Sequence, residues 1–313
     1  MQKKQFIRAI LFFLGIGMLL FIVNNLLIIG VQYSEHAQTG KVSMLMNHRI
    51  DPQVMVFGAS NGETGIASNT IEKESGKTVF NMCVDGTSVL QFGDLVREFN
   101  EYSRHCEMVV FAIGPFALQK EKLPHAMNRY YAWSHNTYLR QNVFLNQVPE
   151  FRKLKYIPFY GFVLYDSDFY KNSFDGWSRI LNRPFLTSNK ADQGWASMPI
   201  QWGDNNSVSA LESLSLQVDS SVVNEYKQLT KELNHKGKKV VFVLMPCQDE
   251  GRQVMKGYDQ LRKGIQSITA YPNTCLDFSE DLISKDKKWF YNYSHLNTTG
   301  AVYFSQKLGR RIK

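Results

Sequence analysis

Five short apolar runs recur along the chain, and segments with helical periodicity lie between them. The runs are mainly apolar, and they lie at residues 54–57, 78–82, 108–113, 239–245 and 274–278. The helical patterns lie near residue 70 and at residues 90–102, 218–233 and 254–268. Strands that lack a polar face are typical of a parallel sheet covered by helices on both faces. The sequence therefore predicts one α/β three-layer sandwich.

An apolar segment without a formal charge lies near the N-terminus, at residues 9–31. Its 23 residues exceed the roughly 20 that a helix needs to cross a bilayer. Lys3, Lys4 and Arg8 precede it, and by the positive-inside rule they keep the N-terminus in the cytoplasm. A cleaved signal peptide is the competing interpretation, but its apolar region usually has only about 7–15 residues and ends at a small-residue cleavage site.

These features predict a single-pass cell-membrane protein with an uncleaved anchor. Residues 1–32 hold the cytoplasmic flank and the transmembrane helix, residues 33–50 form a tether, and residues 51–313 form a periplasmic or extracellular domain. An insertion is predicted at about residues 116–215, where the alternation of strand and helix stops.

The predicted insertion is unusually aromatic. Residues 116–202 contain 19 aromatic side chains in 87 positions, against 13% aromatic residues in the whole chain. Long structureless loops are uncommon in compact domains, so the segment should form a subdomain. The rings can form its core, or some of them can wall a groove for a saccharide or a lipid-linked substrate. The candidates for the groove are Tyr130, Tyr131, Trp133, Trp177 and Trp195.

Composition and spacing exclude several functional classes. The formal net charge is +8, but it partly reflects the basic residues at the two ends of the chain, and no basic run lies elsewhere. A nucleic-acid partner is therefore not expected. Nothing resembles zinc-ligand spacing, a phosphate-binding loop or a dinucleotide fingerprint, so the sequence predicts neither a metal nor a cofactor.

The four cysteines are Cys83, Cys106, Cys247 and Cys275. With the strand order 2-1-3-4-5, those at the same end of the sheet lie at least two strands apart, or roughly 10 Å, which is too far for a disulfide. We expect free, mostly buried thiols.

Two segments carry the residue types of nucleophilic catalysis. Ser60 follows the first apolar run in a glycine-rich turn, which presents its hydroxyl beyond the carboxyl end of a strand. The simpler interpretation is that Ser60 only caps the next helix. His295 lies in the loop after the fifth strand, at the same edge of the sheet, and Asn297 or Thr298 can cap the last helix. A serine and a histidine at one edge can form a nucleophile and its base.

At these segments the chain resembles the SGNH (GDSL-like) hydrolase superfamily. The resembling branch is membrane-anchored and similar to the D-alanyl transfer protein of teichoic-acid modification and the alginate-type O-acetylation proteins. The resemblance lies in Gly58-Ala59-Ser60, in residues 81–88 and in residues 294–301. It implies a flavodoxin-like, SGNH-type sandwich with Ser60 as nucleophile and His295 as base. It also implies an oxyanion hole made by the backbone amides of Ser60 and Gly86.

The chain departs from the pattern of that superfamily at three positions. Ala59 replaces the aspartate of the first motif. The segment that corresponds to the third motif of the superfamily, Ile113-Gly114-Pro115-Phe116, contains no asparagine. Asn292 stands three residues before His295, in place of a carboxylate, and becomes the candidate residue that orients the histidine.

Two functions are therefore expected as alternatives. One is a serine O-acyltransferase or esterase that acts on a cell-envelope glycan through an acyl intermediate on Ser60. Its partners would be a cell-surface glycan or acyl donor and a multispanning membrane protein that exports acyl groups. The other is a noncatalytic subunit that binds or assembles glycans and keeps a degenerate SGNH fold.

Overall fold

The computed structural model describes residues 2–164, 166–203, 214–269 and 272–313. Within these ranges the α-helices are, in chain order, α1 (Gln2–Tyr33), α2 (Ala37–Met46), α3 (Ser60–Gly65), α4 (Ser68–Ser75), α5 (Val89–Tyr102), α6 (Asn128–Tyr131), α7 (Thr137–Gln141), α8 (Val143–Asn146), α9 (Pro149–Tyr156), α10 (Tyr160–Leu164), α11 (Asp166–Ile180), α12 (Ser220–His235), α13 (Asp249–Val254), α14 (Tyr258–Ile268) and α15 (Thr298–Arg311). The strands are β1 (Val54–Gly58), β2 (Val79–Asn81), β3 (Met108–Ile113), β4 (Lys239–Leu244), β5 (Thr274–Asp277), β6 (Phe290–Asn292) and β7 (His295–Leu296).

The chain forms two compact units. Unit 1 comprises Met1–Asn47 and Met127–Ser188, and unit 2 comprises His48–Ala126 and Asn189–Lys313. The aromatic segment predicted as an insertion thus contributes residues to both units, and the predicted tether contains α2.

Unit 2 contains a five-stranded parallel sheet with the strand order β2-β1-β3-β4-β5. The predicted parallel sheet is confirmed, and each predicted strand agrees with the structure to within one residue at either end. β1 and β3 lie in the middle of the sheet and are completely buried, which explains why their sequences carry no polar side chain. A separate antiparallel pair, β6 and β7, follows the sheet.

Alternate side chains of the central strands enter two different cores, as the period of two in a strand requires. Val54, Val56 and Val110 pack in a cluster with Phe304 and Leu308 of α15. On the other face, Phe57 packs on α5, with its ring 6.0 Å from Phe99, and Phe111 lies 5.3 Å from Tyr226 of α12. Helices therefore cover both faces of the sheet.

The last helix begins as predicted from the sequence. Of the two candidate caps, Asn297 is the one that serves, because its side-chain oxygen accepts a hydrogen bond from the Gly300 amide at 2.9 Å. The four cysteines are free, and Cys83, Cys106 and Cys247 are buried.

Unit 1 is built on α1, which is long and apolar enough to cross a membrane. Its side chains are exposed from Lys3 to Val23 and become partly buried from Asn24 onward. Beyond that point α1 packs against α11 at a close crossing. A Cβ atom at Gly176 would lie 1.7 Å from the Gly30 carbonyl oxygen, so the two backbones touch where both residues are glycine.

A buried charged cluster joins the same two helices. Asp175 is fully buried, accepts a hydrogen bond from Ser34 Oγ at 2.9 Å and pairs with Arg179 at 2.9 Å. Arg179 also pairs with Glu35, at 3.1 Å. The paired arginine and the hydroxyl donor compensate the cost of burying the carboxylates.

Candidate active site

Ser60 is the first residue of α3, directly after β1. Its position depends on the glycine two residues later. A Cβ atom at Gly62 would lie 2.5 Å from Cys83 Sγ and 2.6 Å from Ala112 Cβ, so α3 can rest against the ends of β2 and β3 only with glycine there. This packing holds the half-buried Ser60 hydroxyl at the carboxyl end of the sheet, where ligands of parallel α/β sheets bind.

His295 lies on a tight hairpin. β6 and β7 pair antiparallel, and in their register Asn292 is directly opposite His295. The hairpin explains why Asn292 stands three residues before His295, because it brings these two side chains onto one face of the turn. His295 Nε2 lies 2.8 Å from Ser60 Oγ, so the structure brings the predicted nucleophile and base into hydrogen-bond contact across 235 residues of sequence.

Asn292 determines which ring nitrogen of His295 carries the proton. Asn292 Oδ1 accepts hydrogen bonds from the amides of Ser294 and His295, at 3.1 and 3.0 Å, and lies 2.9 Å from His295 Nδ1. A carboxamide oxygen only accepts, so Nδ1 must donate to it. Nε2 then carries the lone pair that can accept the Ser60 proton. Ser294 Oγ is a second neighbour of Nδ1, at 3.0 Å.

Burial lowers the pKa of His295 to about 4, and the negative charge of Asp85 opposes this shift. The desolvated ring disfavours the charged imidazolium, so the imidazole is neutral at pH 7 and can accept a proton. The Tyr291 ring lies 5.3 Å from the His295 ring, at an angle of 31°, and shields one of its sides.

Two acids that could have replaced the missing carboxylate are engaged elsewhere. Asp277 pairs with Arg262 at 3.1 Å, and Glu280 pairs with Arg262 at 2.8 Å and with Arg252 at 2.9 Å. The side chains within hydrogen-bond distance of the ring nitrogen that faces away from Ser60 are instead those of Asn292 and Ser294.

The loop after β2 holds Gly86 in a conformation that suits glycine. The φ angle of Gly86 is +66°, in the left-handed region that side chains disfavour. Thr87 Oγ1 donates to the Val84 carbonyl at 2.7 Å, and the buried Glu63 of α3 accepts from the Asp85 amide at 3.1 Å. Within the described ranges, no protein acceptor is seen for the amides of Ser60 and Gly86, the two groups predicted to form an oxyanion hole.

Sequence reasoning missed three residues that fix the hairpin. Asn61, beside the nucleophile, is buried and donates from Nδ2 to the Ser294 carbonyl at 2.5 Å. The Tyr293 carbonyl accepts from the Gln248 amide at 2.9 Å and from Cys247 Sγ at 3.2 Å. All three donors lie far from the hairpin in sequence, and no motif marks them.

The Asn61 side chain also explains why a glycine stands at position 114, at the end of β3. A Cβ atom at Gly114 would lie 2.1 Å from Asn61 Oδ1. Glycine at this strand end therefore makes room for the Asn61 side chain.

The five aromatic candidates for a groove belong to different units. Trp195 belongs to unit 2, where its Nε1 donates to the Thr64 carbonyl of α3 at 2.8 Å. Tyr130 and Tyr131 are buried in unit 1, and the Tyr131 ring lies 5.1 Å from Phe169. Trp133 and Trp177 are half-buried in unit 1. Tyr130 and Tyr131 thus belong to the core of unit 1.

No group of His, Cys, Asp or Glu side chains in the described residues could hold a metal ion. The site is made of a hydroxyl, an imidazole, an amide side chain and backbone amides, which are groups suited to acyl transfer.

Comparison with known proteins does not assign a family. No protein-family model matches the chain, and no curated protein matches it. One similar solved structure is described as that of "a putative platelet activating factor from Streptococcus pneumonia" and has a TM-score of 0.42 and 11% sequence identity, over 93% of this chain and 97% of that chain. A likeness of this size carries no conclusion about fold or function.

Proposed function

We propose that the chain is an extracytoplasmic, membrane-anchored serine O-acyltransferase or esterase of SGNH (GDSL-like) type that acts on a cell-envelope glycan. One observation carries the proposal: His295 Nε2 lies 2.8 Å from Ser60 Oγ while Asn292 holds the other ring nitrogen. The strand order β2-β1-β3-β4-β5 also suits the flavodoxin-like sandwich that the resemblance implies.

In the first half-reaction, His295 Nε2 takes the Ser60 proton as Ser60 Oγ attacks the carbonyl carbon of an acyl ester. The carbonyl oxygen becomes an oxyanion that accepts hydrogen bonds from the amides of Ser60 and Gly86. The tetrahedral intermediate then collapses, the bond to the alcohol breaks, and the imidazolium donates its proton to the leaving oxygen. The product is an ester between the acyl group and Ser60.

In the second half-reaction, His295 takes a proton from a hydroxyl group that attacks the acyl-Ser60 carbonyl. The bond between the acyl group and Ser60 Oγ then breaks, and the imidazolium returns its proton to Ser60 Oγ. A glycan hydroxyl gives O-acyl transfer, and water gives hydrolysis. Both reactions share one intermediate and differ only in which acceptor reaches it. A multispanning membrane protein that exports acyl groups would be the donor partner for transfer.

The envelope location rests on α1. This helix can span a bilayer, and the lysines and arginine before the apolar segment favour a cytoplasmic N-terminus. The residues that follow α1 would then lie on the outer side of the membrane, where envelope glycans are found.

The proposal is tested by labelling the full-length protein in detergent with a fluorophosphonate probe and measuring turnover of a chromogenic acetyl ester. The wild type and Ser220→Ala, which changes an exposed serine of α12, should be labelled and active. Ser60→Ala should lose both the label and the turnover. Equal turnover by the wild type and Ser60→Ala would overturn the proposal.

A noncatalytic glycan-binding or assembly subunit is the second candidate. The amide at position 292 and the low pKa of His295 favour it, because both make the imidazole a weak base. Binding of surface polysaccharide that survives Ser60→Ala, together with no labelling of Ser60, would support this candidate over the first.

A further inference from the structure

Unit 1 contains a cavity of about 690 Å³ whose lining includes none of the residues of the proposed catalytic site. One wall is α1 between Phe21 and Gln32, and the other is made of residues 131–136 and 154–158. Its volume falls within the roughly 300–1,000 Å³ that small-molecule sites occupy in proteins. All of the lining residues belong to unit 1.

The cavity begins where the exposed part of α1 ends. The α1 side chains are exposed from Lys3 to Val23. At 1.5 Å per residue, the hydrocarbon thickness of a bilayer, about 30 Å, takes about 20 residues, so in a chain anchored as proposed above the span that follows Arg8 ends near Ile28. The α1 wall of the cavity, from Phe21 to Gln32, therefore extends from the outer hydrocarbon to the level of the lipid headgroups. A ligand that enters there from the membrane would have an apolar tail and a polar head.

The lining residues indicate the chemistry of both parts. Phe21, Ile28 and Ile29 give an apolar wall, and Tyr131, Trp133 and Tyr156 add aromatic rings. The polar lining residues are Asn24, Asn25, Gln32, Ser134, His135 and Asn136, and no Lys, Arg, Asp or Glu is among the lining side chains that the structure describes. A phosphate head would require Arg or Lys partners. Neutral amides beside aromatic rings suit the hydroxyls and the apolar ring faces of a sugar.

Hydrogen bonds hold the polar wall in place. Asn24 is only 6% exposed, and its Oδ1 accepts from the Phe159 amide at 2.7 Å, which leaves its NH2 group for a ligand hydroxyl. Gln32 Nε2 donates to the Ala132 carbonyl at 2.8 Å, which leaves its Oε1 as an acceptor. These bonds tie α1 to both of the segments that form the opposite wall, so the site is largely preformed.

We propose that this cavity binds a neutral, lipid-linked saccharide, with the lipid chain against Phe21 and Ile28 and the sugar against the rings of Trp133 and Tyr156. The inference rests on the proposed membrane anchoring and names the substrate class of the proposed enzyme. It would deliver a membrane-attached glycan to the outer surface of the protein.

The test uses the full-length protein in phosphatidylcholine nanodiscs with a diglucosyl diacylglycerol that carries a photoreactive diazirine on its acyl chain. Cross-links should map to residues 131–136 and 154–158, and unlabelled diglucosyl diacylglycerol should compete them away while phosphatidylglycerol does not. Tyr156→Ala should weaken the cross-linking about fivefold, the equivalent of about 1 kcal/mol for one aromatic contact.

Val163→Ala is the matched control, because Val163 is 80% exposed, Tyr156 is 77% exposed, and only Tyr156 lines the cavity. The control should cross-link like the wild type. Cross-links confined to residues 3–23 and insensitive to Tyr156→Ala would mean annular lipid and overturn the proposal, as would equal competition by phosphatidylglycerol. Ser60→Ala should cross-link normally, so failure of the catalytic proposal and failure of the cavity proposal give different results.

Discussion

His295 Nδ1 lies 2.9 Å from Asn292 Oδ1, so the imidazole is oriented by a neutral amide. An amide oxygen holds the correct tautomer as well as a carboxylate would, because the two amides that it accepts fix its direction. It does not stabilise the imidazolium that forms during the reaction, since it carries no negative charge. Asn292 thus orients the His295 ring but does not compensate a positive charge on it. This property leads to expectations for the pH dependence and the rate of the proposed reaction.

Acid should destabilise the protein through His295. Its pKa is lowered to about 4 in the folded state from 6.5. Below pH 6.5 the unfolded chain therefore binds a proton that the folded chain does not, and the free energy of unfolding falls with pH until about pH 4. The loss amounts to at most roughly 3–4 kcal/mol.

Thermal unfolding in detergent at pH 7 and pH 4.5 measures this effect. The wild type should lose more Tm on acidification than His295→Gln, which cannot take up the proton. His235→Gln, a change at an exposed histidine of α12, should behave like the wild type. Identical losses of Tm in the wild type and His295→Gln would contradict the expectation.

Asn61 should act on catalysis by positioning the hairpin. Asn61→Ala removes the hydrogen bond to the Ser294 carbonyl, next to His295, and should lower the rate of fluorophosphonate labelling at Ser60 about tenfold, as the loss of one buried hydrogen bond would. Gly114→Ala should lower the rate as well, because the added Cβ would displace the Asn61 side chain.

The two changes should not add. Asn61→Ala removes the two atoms that a Gly114 Cβ would meet at 2.1 and 2.6 Å and leaves only the Cβ of residue 61, at 3.2 Å, so Gly114→Ala should have little further effect on the labelling rate. Labelling kinetics of the wild type, the two single variants and the double variant form the complete cycle. Strictly additive effects would show that Gly114 acts independently of Asn61.

The sequence predicted the sheet and the placement of Ser60 and His295 at one edge of it because their signals are local. Continuous apolar runs mark β1 and β3, and the glycine-rich turn marks Ser60. The Asn61 contact with Ser294 joins residues 233 positions apart, and neither residue belongs to a recognisable motif. Such a bond depends on how close α3 and the hairpin approach, which follows from packing around Gly62 and Gly114.

The aromatic segment is a second case in which the sequence predicted the type of structure but not its contacts. Its composition indicated a packed subdomain, and α6 to α11 form it. Composition does not reveal that α1 joins these helices in one unit, because that depends on the crossing of α1 with α11 at Gly30 and Gly176. Two isolated glycines in apolar or mixed sequence carry no signal of their own.

Gly86→Ala should impair catalysis more than stability. Its φ of +66° makes alanine unfavourable by roughly 1–2 kcal/mol. Relaxation of the loop would move the amide away from the oxyanion, so kcat should fall while KM changes little. Gly76→Ala is the matched control, with a φ of +73°, no contact for an added Cβ and a position at the end of α4. Both variants should lose similar Tm, and only Gly86→Ala should lose turnover; equal turnover in the two variants would remove Gly86 from the oxyanion hole.

The orientation of α1 should place the domains outside the cytoplasm. Protease added to spheroplasts should digest residues 33–313, and a tag at the N-terminus should stay protected because Lys3, Lys4 and Arg8 retain it inside. Digestion should also occur after Ser60→Ala, since topology does not depend on catalysis. Protection of residues 33–313 would reverse the orientation and exclude an envelope glycan as substrate.

Asn292→Asp should make the proposed enzyme faster. A carboxylate at this position would still accept from Nδ1 and would also stabilise the imidazolium, which raises the pKa of His295 from about 4. The reverse change, aspartate to asparagine, lowers kcat about ten-thousandfold in a serine protease, where the amide also gives the wrong tautomer. Here the tautomer is already correct, so the gain should be smaller, on the order of tenfold to a hundredfold.

The pH profile of ester turnover separates the two effects of Asn292. In the wild type the rate should fall only as the pH approaches 4, where His295 takes up a proton, and in Asn292→Asp the same decline should begin at higher pH. Asn292→Ala should lose rate at every pH, because the ring is no longer oriented. Asp277→Asn should leave the profile unchanged, since Asp277 pairs with Arg262 instead of His295. If neither substitution of Asn292 changes the rate or the profile, then Asn292 has no catalytic role, and the contact at 2.9 Å only stabilises the hairpin.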